Sequence, residues 1–286
     1  MPTKTFTNFY DVDETIASII KRDGERPHTD AEFHVTQLIQ PGQITYLSSV
    51  HPITEDVSDR LWALLGTAVH KLLAENFHEN IWPEGHLETE VNSHSVSGTF
   101  DIYKFEEKEV QDFKVTSVWA FLLGTKSEWE QQLNLYAALL RREGYEVELL
   151  SVSAILRDWQ ASKKNDDGYP QIPFLRKTID CWPPERAEEF LVDSVRRAVK
   201  AKAGEYPPCT KEERWQRPEK YAVMRVGRKR ALKLCDSQGE AVVWINQNQK
   251  PGERLTLEYR AGQDVRCESY CPVRDYCPQK KGTFWK

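Results

Sequence analysis

The chain has 286 residues, of which 40% are hydrophobic and 29% charged, and its formal net charge is -5 at pH 7. This length fits one large domain or a core with an appended lobe, and the hydrophobic content can fill a sizeable core. The negative charge argues against a simple nucleic-acid coat protein but permits an enzyme that binds cations through carboxylates. No long apolar run and no basic start with an apolar stretch behind it is present, so the sequence predicts a soluble cytoplasmic protein without membrane association.

Helices and short extended pieces are expected in the first eighty residues. Residues 9–21 predict a short amphipathic helix. Residues 34–39 and 43–47 flank Pro41-Gly42 and are compatible with short strands or with a helix and its entry loop.

A clear amphipathic helix starts at Ser58, which is a good N-cap residue. One face of this helix has core spacing, and a second face contains a glycine that would let another group approach closely. The expected core side chains are Leu61, Leu65, Ala68 and Leu72, and the second face carries Trp62, Gly66, His70 and Phe77.

Three consecutive predicted strands then carry acidic residues. Glu88 and Glu90 share one face of the first strand, Asp101 lies in the second, and Asp112 and Lys114 share one face of the third. The second and third strands form a β-hairpin, so Asp101 can face Asp112. Neighbouring carboxylates repel unless a cation lies between them, and oxygen ligands suit Mg²⁺ or Mn²⁺. A solvated hairpin with ordinary surface acids is the alternative interpretation.

A further helix and strand complete the pattern. The helix at 128–140 carries Gln132 and Tyr136 one turn apart, and residues 146–156 follow as a strand. The order helix, three strands, helix, strand predicts an α/β fold with a central mixed sheet flanked by helices.

This ordered set of motifs resembles the PD-(D/E)XK nucleases, with a restriction-endonuclease-like core, and in particular the RecB-type branch. That branch includes phage and prophage exonucleases and CRISPR-associated iron-sulfur nucleases. The resemblance covers residues 34–156, and the motifs that carry it are GTAVH, GTFD, QDFK and QLNLY.

The resemblance implies roles for the matching residues. His70, Asp101, Asp112 and the carbonyl of Phe113 would hold the metal, Lys114 would assist the attacking water, and Gln132 and Tyr136 would position DNA. Glu88 resembles a further acidic ligand of some members, with Glu90 as an equally placed rival.

The C-terminal part combines a long helix with a basic stretch. Residues 183–203 predict an amphipathic helix, and residues 239–249 predict another. The basic stretch between them suits contact with a DNA backbone, or else forms a solvated strand edge or loop. Its candidate DNA-binding residues are Arg225, Arg228, Lys229 and Arg230.

Three cysteines crowd the end of the chain, which indicates ligands of one centre. They are Cys267, Cys271 and Cys277, and a fourth ligand is expected from Cys209, in preference to Cys181 or Cys235, because Cys209 lies in a loop. The similar nucleases hold a [4Fe-4S] cluster, but their lone cysteine usually precedes the histidine helix, and here no cysteine precedes Cys181. Tetrahedral Zn²⁺ is the alternative.

These patterns predict three regions, with an N-terminal extension at 1–33, the nuclease core at 34–180 and a C-terminal region at 181–286. The function that the resemblance implies is a Mg²⁺- or Mn²⁺-dependent DNA exonuclease of phage or prophage origin, acting on DNA with a free end in recombination, repair or processing. A phage recombinase or a single-strand-binding protein is a conceivable partner, although no residue specifies one. The alternative is a DNA-binding accessory module that has the nuclease fold without the cleavage activity.

Overall fold

The computed structural model describes residues 4–24, 30–75, 79–122 and 127–280. It divides the chain into two units, Met1–Tyr206 and Pro207–Lys286, each with its own packing. No helix in these described ranges is long and apolar enough to cross a membrane.

The first unit contains strands and helices that alternate along the chain. Its strands are β1 (Lys4–Thr7), β2 (Phe33–His34), β3 (Ile53–Asp56), β4 (Ile81–Val91), β5 (His94–Lys104), β6 (Glu109–Thr116), β7 (Leu149–Leu156) and β8 (Phe174–Ile179). Its helices are α1 (Glu14–Gly24), α2 (Val35–Leu38), α3 (Gly42–Val50), α4 (Leu61–Ala74), α5 (Val118–Leu122), α6 (Ser127–Arg142) and α7 (Pro184–Lys202).

Six of these strands form a mixed central sheet. β5, β6, β7 and β8 are neighbours in that order, β4 pairs with the free edge of β5, and β2 joins β5 at one end. The pairs β4–β5, β5–β6 and β7–β8 are antiparallel, whereas β6–β7 and β2–β5 are parallel. The predicted mixed α/β fold, with its acid-bearing hairpin, is therefore confirmed.

Strands β5 and β6 separate beyond a short paired region. Their last paired residues are Ile102 and Gln111. Asp101, which precedes Ile102, and Asp112, which follows Gln111, are therefore the first two residues beyond the paired region. The N–H of Phe113 donates to Asp101 Oδ2 at 2.5 Å. A backbone donor that leaves the ladder must find another acceptor, and here an acidic side chain supplies it.

Helices α6 and α7 bury much of the hydrophobic core. α6 contributes Leu133, Leu135 and Leu139, and α7 contributes Leu191 and Val195, all with 1% exposure or less. α7 packs on α6 and α3 within the first unit. The division falls after Tyr206, and not at the predicted residue 181, because the apolar stripe of α7 packs within the first unit.

Helix α4 departs from the expected burial. Leu61, Leu65 and Leu72, which the sequence assigns to the core, are 40%, 42% and 68% exposed, and no residue of α4 is buried. The expected position of Phe77 lies outside the described residues. The apolar period correctly predicted a helix, but it does not show whether another element covers the apolar face of that helix.

The first residues form short elements around α4. The ambiguous pieces at 34–47 are mainly the short helices α2 and α3, and the first predicted helix is α1. β1 pairs in parallel with β3, and Ala17, Ile20 and Val57 form a small separate core.

The second unit is a small β-sheet with one helix. Its strands are β9 (Gln216–Arg217), β10 (Lys220–Arg225), β11 (Lys233–Cys235), β12 (Leu255–Arg260) and β13 (Gln263–Asp264), and its helix is α8 (Gln238–Asn248), as the sequence predicts. β10 lies between β11 and β12, and β13 pairs with β9.

Candidate functional site

Three side chains that can bind a metal meet between α4 and the sheet. His70 of α4, Glu84 of β4 and Asp101 of β5 bring one ligand atom each within 4.8 Å of one another. His70 Nδ1 lies 3.1 Å from Glu84 Oε1 and 3.3 Å from Asp101 Oδ1. Two carboxylates thus converge on one imidazole nitrogen. A cation could take the place of the proton that these three groups share.

The register of the sheet explains why Glu84 is the acid at this position. Pro83 pairs with Ile102 and Gly85 with Phe100, so Glu84 stands level with Asp101 on the next strand. Its φ is 45°, in the left-handed region that costs energy for a residue with a side chain. Strained residues of this kind cluster at functional sites, where the surrounding structure holds them.

Gly85 holds this local conformation by letting an aromatic ring approach. A Cβ atom at Gly85 would lie 2.0 Å from the Cζ atom of Phe100. The ring of Phe100 is fully buried over the glycine and packs edge-on against Trp82. The contact therefore fixes the strand on both sides of Glu84.

Glu88 does not join the cluster. It pairs with Ser97, four residues along the strand from the level of Asp101, which corresponds to about 13 Å. Its side chain is 50% exposed, and its carboxylate lies 3.9 Å from His86 Nε2. The acid beside His70 and Asp101 is thus Glu84, and neither Glu88 nor its rival Glu90 is among the grouped ligand atoms of the described residues.

Asp112 adds a buried carboxylate at the same level of the sheet. Its Oδ1 accepts a hydrogen bond from Lys114 Nζ at 2.9 Å, whereas Oδ2 is buried and has no hydrogen-bond partner among the described residues. Burial raises the pKa of Asp112 to about 6, against the opposing effect of Lys114, and the charge of Asp101 raises it further. Such an oxygen is costly to bury unless a cation or donor pairs with it.

His70 is a strongly basic imidazole among these acids. Hydrogen bonds to Asp101 and then to Glu84 raise the pKa of His70 to about 10, and burial opposes them only in part. A proton therefore competes with any metal ion for the Nδ1 position.

Lys114 connects the acids to α6. Its ammonium also donates to Gln132 Oε1 at 3.4 Å, and Gln132 Nε2 donates to the Tyr136 hydroxyl at 3.1 Å. Tyr136 is 3% exposed, and burial raises its pKa well above the usual range, so it remains neutral. In this structure, Tyr136 orients Gln132 from within the core and presents almost no surface to a bound strand.

The donor set fits a hard divalent cation. Glu84 and Asp101 offer oxygen atoms and His70 offers one nitrogen within a single group. Asp112, whose pKa responds to the charges of Asp101 and His70, adds a buried Oδ2 that has no hydrogen-bond partner among the described residues. Mg²⁺ and Mn²⁺ favour such oxygen-rich sites, and imidazole is acceptable to Mn²⁺. The Phe113 carbonyl stays a predicted ligand, in a residue whose N–H already contacts Asp101.

Four thiols come together within the second unit. Burial raises the pKa of Cys209 to about 12, and the charges of Glu213, Cys277, Cys267 and Cys271 act in the same direction. The main chain of Cys209 also exchanges two hydrogen bonds of 3.0 Å with the side chain of Gln279, two residues after Cys277.

The other two cysteines have different surroundings. Cys235 is buried in β11, where Glu240, Lys233 and Asp236 are the charged groups that affect its thiol. Cys181 belongs to the first unit and accepts a hydrogen bond from Arg141 at 3.3 Å. The loop cysteine, Cys209, is therefore the one that lies near the C-terminal three.

The thiol spacing bears on the identity of the group that they could bind. A tetrahedral zinc ion with Zn–S bonds of about 2.3 Å holds its sulfurs roughly 3.8 Å apart. In the part of the chain that the structure describes, no three thiols lie within 4.8 Å of one another. The [4Fe-4S] cluster therefore stays a prediction, with Zn²⁺ as its alternative.

The basic residues of the second unit lie in two different environments. Arg225 forms an ion pair with Glu253 and is half-buried. Arg228, Lys229 and Arg230 are exposed in the loop between β10 and β11, which turns at Gly227 with a φ of 84°. The loop thus presents three adjacent cations, whereas Arg225 has a structural partner.

Known structures resemble the chain only in part. The crystal structure of SSO0001 has a TM-score of 0.41 and 17% identity, over 63% of this chain and 83% of that one. A phage-related exonuclease from Haemophilus somnus 129PT has a TM-score of 0.32 and 13% identity, over 66% and 80% of the two chains. A candidate exonuclease from Eubacterium rectale has a TM-score of 0.32 and 10% identity, over 53% and 54%. No protein-family model and no curated protein matches the sequence.

Proposed function

We propose that the chain is a nuclease that hydrolyses phosphodiester bonds of DNA with the help of Mg²⁺ or Mn²⁺. The observation that carries this proposal is the convergence of His70, Glu84 and Asp101 beside the buried Asp112–Lys114 pair. The three grouped side chains offer two carboxylates and one imidazole to a cation, and the neighbouring Asp112–Lys114 pair adds a carboxylate and a positive charge for a phosphate.

Each acidic side chain has a separate supporting contact. His70 and Glu84 reach the centre from α4 and β4, and Asp101 is held by the Phe113 N–H. Asp112 has a buried Oδ2 without a hydrogen-bond partner among the described residues, while its Oδ1 accepts a hydrogen bond from Lys114. These fixed oxygens would hold the ion without a large rearrangement. A bound Mg²⁺ or Mn²⁺ supplies a water of lowered pKa and neutralises charge on the phosphate.

Lys114 is the group best suited to assist the chemical step. Its side chain is a quarter exposed, so the ammonium could contact a phosphate oxygen or the attacking water while Asp112 and Gln132 hold it from two sides. A preorganised positive charge stabilises the negative charge that develops on the phosphate. Tyr136 then serves as a positioning residue through Gln132.

The finer assignments extend this proposal. Digestion from a free end would make the protein an exonuclease of the RecB type, and the exposed Arg228–Arg230 loop would add sequence-independent contact with the DNA backbone. Cys209, Cys267, Cys271 and Cys277 would hold a [4Fe-4S] cluster with a structural role, with Zn²⁺ as the alternative. The charges of the other three thiols raise the pKa of Cys209, which supports one shared centre but does not distinguish the cluster from zinc.

The test is incubation of end-labelled linear DNA and circular DNA with Mn²⁺, alongside Asp112→Asn and Lys114→Gln variants. We expect the wild type to degrade linear DNA, EDTA to stop the reaction, and both variants to lose activity by at least about a hundredfold. Degradation of linear but not circular DNA would support the exonuclease mode. Binding without degradation by the wild type would instead support an accessory DNA-binding module.

A further inference from the structure

An exposed tryptophan near the candidate metal centre is stacked by an arginine. Trp62 of α4 is 55% exposed, although a ring of this size is usually well covered. The guanidinium carbon of Arg157 lies 4.4 Å from the centroid of its ring. The pair forms a cation–π contact in which the guanidinium helps to fix the orientation of the ring.

Helix α4 connects this pair to the metal centre. Trp62, Gly66 and His70 follow one another at intervals of four residues, so they form one stripe along the helix. Two turns separate Trp62 from His70, which is about 12 Å along the helix axis. A Cβ atom at Gly66 would meet nothing within 4 Å, so the space above the middle of the stripe is open.

Strand β6 makes the same connection from the other side. The N–H of Arg157 donates to the carbonyl of Thr116 at 3.0 Å, and Thr116 ends the strand that carries Asp112 and Lys114. Arg157 is exposed and forms no ion pair with a carboxylate among the described residues. Its charge is therefore free to meet an anionic partner.

We propose that the Trp62–Arg157 pair binds an unpaired nucleobase of the strand whose phosphate occupies the metal centre. This proposal rests on the proposed nuclease function and specifies its substrate as DNA with a single-stranded end or segment. The strand follows the open stripe from His70 over Gly66 to Trp62, with one base stacked on the indole and Arg157 near the adjacent phosphate.

The chemistry of the pair favours this occupant. Every base has a π face, so stacking on tryptophan binds unpaired bases regardless of sequence, and arginine adds both cation–π and phosphate contacts. In a duplex, each base is already stacked and its faces are covered. The positive charge of Arg157 would attract the phosphates of a nucleic acid, and the acids at the other end of the stripe would bind the metal ion that accompanies them. Neither feature suits an apolar protein surface.

The test measures binding in EDTA, where hydrolysis cannot occur, with the full-length chain. Three fluorescent probes are used: a single strand of about 12 nucleotides, a strand of the same length made of abasic units, and a blunt duplex. Trp62→Leu keeps an apolar side chain but removes the π face, and Trp62→Tyr restores an aromatic ring. The matched control is Phe105→Leu, because Phe105 is also an exposed aromatic but precedes β6 at the opposite end from Thr116.

We expect Trp62→Leu to weaken binding of the base-bearing single strand about tenfold and to change binding of the abasic strand and the duplex less than about twofold. Trp62→Tyr should recover most of the loss, and Phe105→Leu should match the wild type. The proposal is overturned if Trp62→Leu binds the base-bearing strand normally, or if it weakens the abasic strand equally.

A parallel reaction in Mn²⁺ separates this proposal from the nuclease function. Wild-type degradation of DNA, together with unaltered single-strand binding by Trp62→Leu, would reject the stacking site and leave the nuclease function intact. If the wild type neither binds nor degrades any of the probes, both proposals fail.

Discussion

Glu84 and Glu88 lie on the same strand but in different surroundings. Glu84 contacts His70 at 3.1 Å, whereas Glu88 is half exposed beside His86. We expect Glu84→Gln to weaken Mn²⁺ binding at least about tenfold, since mutation of even a residue that only supports a metal ligand commonly lowers metal affinity by about that factor. Titration calorimetry would measure it, and Glu88→Gln is the matched control, expected to remain within about twofold. Equal losses in both variants would mean that the site lies elsewhere.

Asp112 predicts a pH dependence of stability. Its pKa is raised from the usual value of an aspartate to about 6 by burial, so the folded protein binds the proton more tightly than the unfolded chain does. Stability of the metal-free protein therefore falls as pH rises towards 6, and the full cost is present above it.

Asp112→Asn removes this buried charge. In EDTA at pH 8 the variant should unfold at a higher temperature than the wild type, and the difference should shrink as pH falls towards 4. Mn²⁺ should stabilise the wild type more than the variant. Thermal unfolding at several pH values measures both effects, and a variant that is less stable than the wild type at pH 8 in EDTA would refute the role assigned to burial.

The elements around the site show what the sequence could and could not predict. Alternation predicts the hairpin that brings Asp101 to Asp112, because a period of two determines which side chains share a face. Pro83 and Gly85 both disfavour strands, so the sequence pattern indicates a strand only around Glu88 and Glu90 and misses Glu84.

A signal for Glu84 is nevertheless present in the chain. Asn92 and Ser93 have φ values of 50° and 65°, which is the two-residue type I′ turn of a tight hairpin. Such a turn pairs Val91 with His94, and counting back along both strands then sets Glu84 opposite Asp101. No comparable signal in the sequence predicts that α4 is exposed, because the apolar period of a helix is the same whether or not another element covers it.

Two glycines near the site should respond to alanine in opposite ways. Gly66→Ala fills open space within a helix and should stabilise the fold by about 0.5–1 kcal/mol. Gly85→Ala drives a methyl group into the Phe100 ring and should destabilise it by about 1–3 kcal/mol. Urea denaturation of both variants measures the change, and the same sign in both would contradict these environments.

At the scale of the whole molecule, the second unit contains a cysteine group and a basic loop of its own. Cys209→Ser and Cys267→Ser should lose visible absorption and bound iron after anaerobic purification, because each removes one of the four proposed ligands. Cys235→Ser and Cys181→Ser are matched controls that should retain both, since the thiol of Cys235 is affected by other charged groups and that of Cys181 accepts a hydrogen bond from Arg141 in the first unit. A colourless wild type containing one zinc ion would favour the alternative metal.

The basic loop predicts how DNA binding depends on salt. Replacing Arg228, Lys229 and Arg230 by alanine should reduce the slope of log affinity against log salt by about 2–3 for duplex DNA, as three phosphate contacts are lost. Arg225→Gln should leave the slope unchanged, because Arg225 is paired with Glu253. Anisotropy titrations over a range of salt concentrations measure this slope, and an unchanged slope in the triple variant would remove the loop from the DNA-binding surface.

The metal centre is the central claim, and anomalous diffraction from crystals soaked in Mn²⁺ tests it most directly. We predict an anomalous peak at bonding distance from His70, Glu84, Asp101 and Asp112, at about 2.2 Å from the oxygen ligands, which disappears in Asp112→Asn. An empty centre at Mn²⁺ concentrations that support DNA degradation, or a peak bound only by other residues, would contradict the claim.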